Sequence, residues 1–269
     1  LTTSIAEFAP DIVFHMAART DLDGSDLSDY DVNTKGLDNL INALNTLDDL
    51  KSVVFASSML VCKLGYLPSN EKDYCPDTVY GKSKVLGEEI IRNTITRFPW
   101  TIVRPTSIWG PWFASPYRDF FTTVNNNFYI HPKGLRVRRS YGFVYNIIYQ
   151  LDCISQMLNN KLIGETIYLA DYKPIELKLW ADKIQESLNV WPIREVPLAI
   201  FKILAKAGDF AKYLGFEHPP ITTFRLNNML TEMIHDTAKL QDYCGDTPYS
   251  MSDGVAITCK WLIHNYNKS

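Results

Sequence analysis

The sequence predicts an α/β fold, with a parallel sheet flanked by helices and a smaller, mostly helical C-terminal lobe. Short apolar runs alternate with segments of helical spacing along the first part of the chain. Strands joined through helices pair in parallel by right-handed crossovers. The 269 residues are 46% hydrophobic and 21% charged, which is the composition of an ordinary globular protein with a sizeable core.

Three segments are predicted to be buried strands, because each is short, rich in apolar residues and bounded by small or turn-forming residues. They are Asp11–Ala18, Lys51–Ser58 and Trp100–Pro105. The first two strands are separated by Asp29–Leu47, in which apolar residues recur at helical spacing. A second helix is predicted over Val79–Glu89, so the order is strand, helix, strand, helix, strand.

After Trp109 this rhythm ends, and Gly, Pro and aromatic residues dominate to about Arg139. Gly164–Asp171 is predicted to be one more strand, and Ile175–Asn189 and Leu198–Leu214 are predicted to be helices. We therefore expect a sheet domain over residues 1–110. Residues 111–269 should form a lobe that is partly interleaved with the sheet.

Charge and cysteine usage exclude several classes of function. A net charge of −3 gives no basic footprint, so neither nucleic acid nor an acidic membrane is an expected partner. No run of 18 apolar residues predicts a membrane span. The five cysteines are odd in number and contain no Cys-x-x-Cys pair, which predicts reduced thiols in a cytoplasmic protein. No metal site is predicted.

Tyr80 and Lys84 are the first candidates for chemistry. They lie four residues apart with no helix breaker between them, so they should share one helix face. A second Tyr-x-x-x-Lys match, Tyr129–Lys133, contains Pro132, which disfavours a continuing helix.

Position in the fold adds a third candidate. Ligands of open α/β sheets bind at the carboxyl ends of the strands. Ala17–Ala18, Ser57–Ser58 and Pro105–Ser107 fall at such ends, and the helix with Tyr80 follows the loop that leaves Ser58. The sequence therefore predicts that a serine, a tyrosine and a lysine lie near one crevice.

These three side chains suit proton transfer coupled to hydride transfer. A phenol has a pKa of about 10 and is a poor base at neutral pH, and an adjacent ammonium is expected to lower that pKa. A serine hydroxyl can hold a carbinol or carbonyl oxygen beside the phenol, which then exchanges a proton with it. A hydride requires a cofactor.

The chain resembles an extended short-chain dehydrogenase/reductase of the NAD-dependent epimerase/dehydratase group. The resemblance is carried by FHMAA, NTKG, FASSMLV, YGKSK and RPTSIWGP, in this order, and it is strongest from Asp11 to Pro111. It implies a Rossmann-like fold, NAD or NADP as cofactor, a nucleotide-sugar substrate and a homodimer. It also makes residues 1–110 a partial NAD(P)-binding domain and residues 111–269 a substrate lobe.

The resemblance also implies site residues. The catalytic ones are Ser58, Tyr80 and Lys84. The cofactor-binding ones are Met16, Ala17, Ala18, Asn33, Ser57, Tyr80, Lys84, Pro105 and Thr106. The substrate-binding ones are Ser58, Ser107, Arg138 and Arg139, with the arginines suited to phosphate oxygens.

Several positions depart from the family pattern. No G-x-x-G-x-x-G turn for a cofactor pyrophosphate occurs, and the chain starts at Leu1 in the middle of a helix-like pattern, so we expect an N-terminally incomplete chain. Met59 and Leu60 replace the acidic pair of 4,6-dehydratases, which argues against that reaction. Ser107 and Cys62 replace the Asn and Tyr of common UDP-sugar 4-epimerases.

Other interpretations remain open. The same fold serves 3β-hydroxysteroid- and dihydroflavonol-type dehydrogenases, for which Arg138 and Arg139 would be dispensable. A non-enzymatic relative is the other alternative. Asn33 could simply cap its helix or lock a loop, and the two arginines could form a solvated strand edge.

Overall fold

The computed structural model describes residues 1–156, 162–216 and 221–266. The chain forms two compact units, and each is assembled from three stretches of sequence. The first unit comprises Leu1–Ser107, Tyr145–Tyr172 and His235–Pro248, and the second comprises Ile108–Val144, Lys173–Ile234 and Tyr249–Ser269.

The secondary structure follows in chain order. The strands are β1 (Ile12–His15), β2 (Ser52–Ala56), β3 (Trp100–Pro105), β4 (Ser107–Trp109), β5 (Ile130–Pro132), β6 (Arg138–Arg139), β7 (Tyr141–Phe143), β8 (Thr166–Leu169), β9 (Ile175–Glu176) and β10 (Arg194–Val196). The helices are α1 (Thr2–Phe8), α2 (Lys35–Leu44), α3 (Val79–Asn93), α4 (Tyr117–Asn125), α5 (Val144–Gln156), α6 (Leu177–Leu188), α7 (Leu198–Tyr213), α8 (Thr223–Leu230), α9 (Ala238–Cys244) and α10 (Met251–Tyr266).

The first unit contains a four-stranded sheet in the order β1-β2-β3-β8, and every neighbouring pair is parallel. The predicted α/β fold with a parallel sheet flanked by helices is confirmed. Phe55 of β2 and Ile102 of β3 pack with Leu37, Ile41 and Leu44 of α2 in one buried cluster. This packing fixes the strands and helices whose ends carry the candidate residues.

The predicted elements agree with the structure except near their ends. β3 spans the predicted Trp100–Pro105 in full, and β1, β2 and β8 lie inside the predicted segments. The helix predicted over Asp29–Leu47 begins instead as a 3₁₀ segment, Leu27–Asn33, and continues as α2 after Thr34. Thr34 has φ −120° and ψ −74°, so the backbone is not helical at the junction.

The second unit is built around aromatic side chains and three two-stranded pairs. Trp109 and Phe121 are fully buried and pack against Trp180 of α6. β5 pairs with β10 in parallel, β6 pairs with β9 in antiparallel, and β4 pairs with β7. Along the part of the chain that the structure describes, no helix is long and apolar enough to cross a membrane.

Candidate active site

Ser58, Tyr80 and Lys84 come together at the carboxyl edge of the sheet. The Ser58 hydroxyl lies near enough to the Tyr80 phenol to lower the pKa of that phenol, and both residues are buried. The Lys84 ammonium lies 5.9 Å from the centroid of the Tyr80 ring and donates to the Ala56 carbonyl at 2.9 Å. The structure therefore brings together the three residues that the sequence singled out.

Local capping sets the positions of Ser58 and Tyr80. Ser58 caps the short 3₁₀ segment Met59–Val61 by accepting the Leu60 N–H at 3.1 Å. Thr78 caps α3 in the same way, because its hydroxyl oxygen accepts the Gly81 N–H at 2.9 Å.

Close approach of these two segments requires a glycine. A Cβ atom at Gly81 would lie 2.3 Å from the Leu60 carbonyl oxygen. Only a residue without a side chain lets the first turn of α3 pack this closely against the segment that carries Ser58.

Burial dominates the electrostatics of the site. It raises the pKa of Tyr80, an effect that the hydrogen bond from Ser58 opposes. The sequence analysis expected the Lys84 ammonium to lower this pKa. In the structure Lys84 is not among the groups that shift this pKa, since the ammonium bonds to the Ala56 carbonyl instead of the phenol.

Burial also lowers the pKa of Lys84 to about 8, against the opposing charge of Glu88. His15, at the end of β1, has its pKa lowered to about 4 by burial and by the Lys84 charge. Its imidazole is therefore neutral at physiological pH, and Lys84 carries the positive charge of this region.

Glu88 lies behind the three candidate residues, and the sequence analysis missed it. Its carboxylate is 1% exposed and accepts the Ser57 hydroxyl at 2.5 Å and the Tyr74 hydroxyl at 2.9 Å. Arg104 donates to both carboxylate oxygens at 2.8 Å, and Arg92 donates at 3.4 Å. Burial raises the pKa of the Glu88 carboxyl, but the bonds and charge of Arg104 outweigh it and hold that pKa below its ordinary value.

This network ties together the elements that carry the site. Glu88 is on α3, Ser57 follows β2 and Arg104 is on β3, so one carboxylate links three elements. Arg104 also donates to the Glu71 carbonyl at 2.6 Å. The available signal in the sequence was spacing, since Glu88 follows Lys84 by four residues on the same helix face.

Among the residues expected near the cofactor, Asn33 is held by hydrogen bonds, whereas the loop after β1 is largely exposed. The Asn33 side chain accepts the Arg19 N–H and donates to the Arg19 carbonyl, both at 2.9 Å, and also donates to the Ser83 hydroxyl. It therefore locks the loop after β1 onto α3. Met16 and Ala17 in that loop are exposed, and Ala18 is half-buried.

Next to β3, the Thr106 hydroxyl donates to the Leu169 carbonyl of β8 at 2.9 Å, so its side chain is committed to the sheet. Pro105 ends β3, and Ser107 is buried.

A small cavity of about 20 Å³, with a lining that is more apolar than polar, lies beside Lys84. Asn33, Ser57, Lys84 and Glu88 contribute polar groups to its lining. This volume suits about one water molecule with several polar partners.

The two arginines expected to bind substrate phosphates lie in the second unit. Arg138 is exposed and pairs with Glu232 at 3.0 Å. Arg139 is half-buried, and its guanidinium donates to the carbonyls of Asn228 and Thr231 at the end of α8. Arg139 is thus engaged by backbone, whereas Arg138 has a solvent-exposed ion pair of the kind that contributes little stability.

The residues present fit the nicotinamide-ribose half of a dinucleotide. No ion pair among the described residues involves Lys84, so a buried ammonium with one carbonyl partner stands beside two hydroxyl groups. Such a donor set can bind the hydroxyls of a ribose. In the same part of the chain, no group of three or more His, Cys, Asp or Glu side chains could hold a metal ion.

Comparison with known proteins gives matches along the whole described chain. The sequence model of the NAD-binding family described as "Male sterility protein" matches residues 8–163. An N-acetyl-alpha-D-glucosaminyl-diphospho-ditrans,octacis-undecaprenol 4-epimerase of Escherichia coli O157:H7 is 23% identical over 97% of this chain and 80% of its own length. A 3beta-hydroxysteroid-dehydrogenase/decarboxylase, isoform 1, of Arabidopsis thaliana is 21% identical over 94% of this chain and 62% of its own length.

Solved structures agree on the fold. A UDP-glucuronic acid 4-epimerase from Bacillus cereus, solved with UDP-glucuronic acid and NAD, superposes with a TM-score of 0.71. It is 15% identical, and the match covers 98% of this chain and 78% of the epimerase.

Proposed function

The chain belongs to the NAD-binding family described as male sterility protein, and on that premise we propose that it is a sugar epimerase. Its substrate would be a sugar linked to a diphosphate, as in a nucleotide sugar. The resemblance to an extended short-chain dehydrogenase/reductase, the enzymatic class and NAD as cofactor are confirmed. The substrate and the roles of single residues are the content of the proposal.

The observation that carries the proposal is the grouping of buried Ser58 and Tyr80 beside the buried ammonium of Lys84. In the proposed reaction Ser58 holds the oxygen of a sugar carbinol. Tyr80, as phenolate, takes the hydroxyl proton. Lys84 holds the nicotinamide ribose hydroxyls, and its positive charge favours the phenolate.

NAD, when bound, supplies the acceptor for the hydride that leaves the carbinol carbon. Loss of the O–H proton to Tyr80 and of the C–H hydride converts the carbinol to a ketone. Return of the hydride to the other face of that carbon, with return of the proton to the oxygen, inverts the configuration. The sugar gains and loses the same proton and hydride, so the overall reaction is an isomerisation without net oxidation.

Neighbouring side chains favour epimerisation over dehydration. Met59 and Leu60 follow Ser58 and carry no group that transfers protons. Elimination of water from a sugar requires an additional acid and base, and these positions do not provide them.

The sugar of the proposed substrate could be carried by a nucleotide or by a lipid, and both carriers join it through a diphosphate. The Bacillus cereus enzyme was solved with a UDP-linked sugar, and the Escherichia coli relative is named for a sugar on diphospho-undecaprenol. Arg138 is the arginine we assign to the phosphates, because its exposed partner Glu232 can be exchanged for another anion. Arg139 is already engaged by backbone carbonyls.

Replacing Tyr80 by Phe tests the role of the phenol. The variant should lower turnover roughly 10²–10⁴-fold while the fold is retained. Tyr66→Phe is a matched control, since its hydroxyl bonds to Asp73 at 2.6 Å in a loop. Unchanged turnover in the Tyr80 variant, with a normal melting curve, would remove the proposed role.

Bound nucleotide distinguishes an epimerase from a net oxidoreductase. The full chain is purified without added cofactor and heat-denatured, and the released nucleotides are separated by chromatography. Retained NAD is expected, because an epimerase returns the hydride to the same substrate. Absence of nucleotide, with binding of added NADH or NADPH, would instead indicate a reductase or dehydrogenase.

A hydroxysteroid-type dehydrogenase is the second candidate function. Its support is the similarity to the Arabidopsis thaliana protein and the engagement of Arg139 by backbone. Arg138→Ala discriminates between the two candidates. It should raise the KM for a sugar diphosphate and leave oxidation of a sterol unchanged.

A further inference from the structure

Helix α7 in the second unit exposes an apolar surface although its core-facing side is already packed. Phe201 and Ala205 are buried and cluster with Leu226 of α8. On the opposite side, Ile203 is 68% exposed and Phe210 is 63% exposed. We name this surface the outer face of α7, and it consists of Ile200, Ile203, Leu204 and Phe210, continued by Leu214 and Phe216.

The apolar character of this helix runs around most of its circumference. A helix of this kind is normally buried on all sides or placed at an apolar boundary. Isolated exposed apolar residues need no explanation, but a contiguous group marks an interaction site. Since the core contacts of α7 are complete without it, the outer face has no role in the packing of the second unit.

Basic residues flank the outer face. Lys202 and Lys206 are exposed and lie one helical turn apart beside Ile203, whereas Lys212 follows Gly208 by four residues on the other side of the helix. The 16 residues of α7 contain three lysines and one aspartate, a net charge of +2, in a chain whose net charge is −3. The aspartate, Asp209, accepts the Thr223 N–H at 3.1 Å.

We infer that the outer face of α7 docks on the surface of an anionic lipid bilayer, with the helix lying in the plane of the headgroups. Interfacial helices combine apolar and aromatic residues with lysines at the rim, which is the arrangement of α7. Tyr213, which is 85% exposed, lies on the lysine side and is the type of amphipathic residue found at headgroup level. This surface goes beyond the proposed reaction and does not depend on it.

The choice of a bilayer over a protein partner rests on charge. An anionic membrane attracts each lysine at its surface and accepts the neighbouring apolar side chains into the acyl region. A second copy of this chain would bring its own lysines to the same small contact, and the outer face contains no acidic side chain to pair with them. Like charges in such a symmetric contact would oppose association.

Flotation with vesicles tests the inference on the full chain. Vesicles of phosphatidylcholine alone are compared with vesicles that also contain phosphatidylglycerol, at low and high salt. The wild type should float with the anionic vesicles, and binding should weaken with salt. Ile203→Glu combined with Phe210→Glu should lower the bound fraction at least about tenfold, because two apolar anchors become repelled anions.

Two further variants separate the contribution of the lysine charges to vesicle binding from that of the apolar side chains. Lys202→Glu with Lys206→Glu should weaken binding to anionic vesicles several-fold at low salt and have less effect at high salt. Ile95→Glu is the matched control, since Ile95 is 91% exposed in the first unit and lies outside the outer face. It should bind as the wild type does, and all variants should melt as the wild type does, because the changed side chains are exposed.

Three outcomes would overturn the inference. The wild type could fail to float with anionic vesicles, or the double variant of Ile203 and Phe210 could float unchanged. The third outcome is a wild-type oligomer that the same double variant dissociates, measured by light scattering, without any vesicle binding. That result would make the outer face a contact between copies of the chain.

Discussion

Substituting Glu88 by Gln should destabilise the protein strongly, because it leaves the Arg104 guanidinium buried without a counterion. The Glu88 carboxylate and Arg104 are each 1% exposed, and two bonds of 2.8 Å join them. Breaking a buried pair by removing one partner costs about 3–5 kcal/mol. An amide also offers one acceptor oxygen where the carboxylate uses two.

The assay is urea unfolding at neutral pH, with Glu89→Gln as control. Glu89 is the next residue on α3 and is exposed, so the same chemical change there should shift stability by less than about 0.5 kcal/mol. For Glu88→Gln the melting temperature should fall by about 6–20 °C, since each kcal/mol corresponds to about 2–4 °C for a chain of this size. Turnover should fall as well, since Glu88 also holds Ser57, the residue before Ser58.

A double-mutant cycle with Arg104→Gln separates the pair from its surroundings. The double variant should cost about 2–3 kcal/mol less than the sum of the two single variants, because neither partner is then left as an unpaired charge. Additivity of the single variants within about 0.5 kcal/mol would refute the reasoning. So would a cost below about 1 kcal/mol for Glu88→Gln.

The same pair predicts a dependence on pH. The pKa of Glu88 is held below its ordinary value, so its contribution is complete above the pKa of the unfolded carboxyl, about 4.3. It is lost as the pH falls through the lower pKa of the folded state. Wild type and Glu88→Gln should therefore converge in stability as the pH is lowered below about 4.

Three other predictions use the remaining site residues. Lys84→Met should abolish turnover and yet stabilise the fold by about 2 kcal/mol at neutral pH. Keeping a lysine charged when its pKa is lowered to about 8 costs about 3 kcal/mol, and its hydrogen bond to the Ala56 carbonyl offsets about 1 kcal/mol of that cost. In urea unfolding this gain should shrink as the wild-type stability rises between about pH 8 and 10.4. Gly81→Ala should lower the free energy of unfolding by about 1–3 kcal/mol and remove most of the activity, because the new Cβ displaces Tyr80. Gly36→Ala is the control: its new Cβ would lie 3.5 Å from the nearest atom, so the change should raise the free energy of unfolding by up to about 1 kcal/mol.

Local sequence patterns predicted the sheet and the proximity of Ser58, Tyr80 and Lys84. Strands of a parallel sheet end at one edge, so the residues after each strand had to converge, and helical spacing placed Tyr80 and Lys84 on one face. These are consequences of regular geometry. They require no knowledge of which side chains meet across the fold.

The Glu88 network could not be predicted in the same way. Glu88 is one of two adjacent glutamates on α3, and Arg104 follows two apolar residues in a strand. Their pairing depends on the depth at which α3 crosses the sheet, and no local pattern encodes that depth. For Arg139 the partners are backbone carbonyls about 90 residues away, which leave no side-chain signal in the sequence.

The outer face of α7 was missed for a related reason. The periodicity of apolar residues predicted the helix correctly, but both of its sides are apolar. The net charge of −3 is an average over the whole chain, and it conceals the net charge of +2 on α7. Only the exposed fractions of the side chains distinguish the packed side from the free one.

The arrangement of charges explains why Lys84 is the cation available to the reaction. Arg104 is neutralised by Glu88, and Arg92 pairs with Glu71 at 3.1 Å. The Lys84 ammonium donates to the Ala56 carbonyl at 2.9 Å and lies 5.9 Å from the centroid of the Tyr80 ring. Because the acids of this region are occupied by arginines, we propose that the positive charge of Lys84 favours the Tyr80 phenolate once a substrate and a cofactor exclude water from the site.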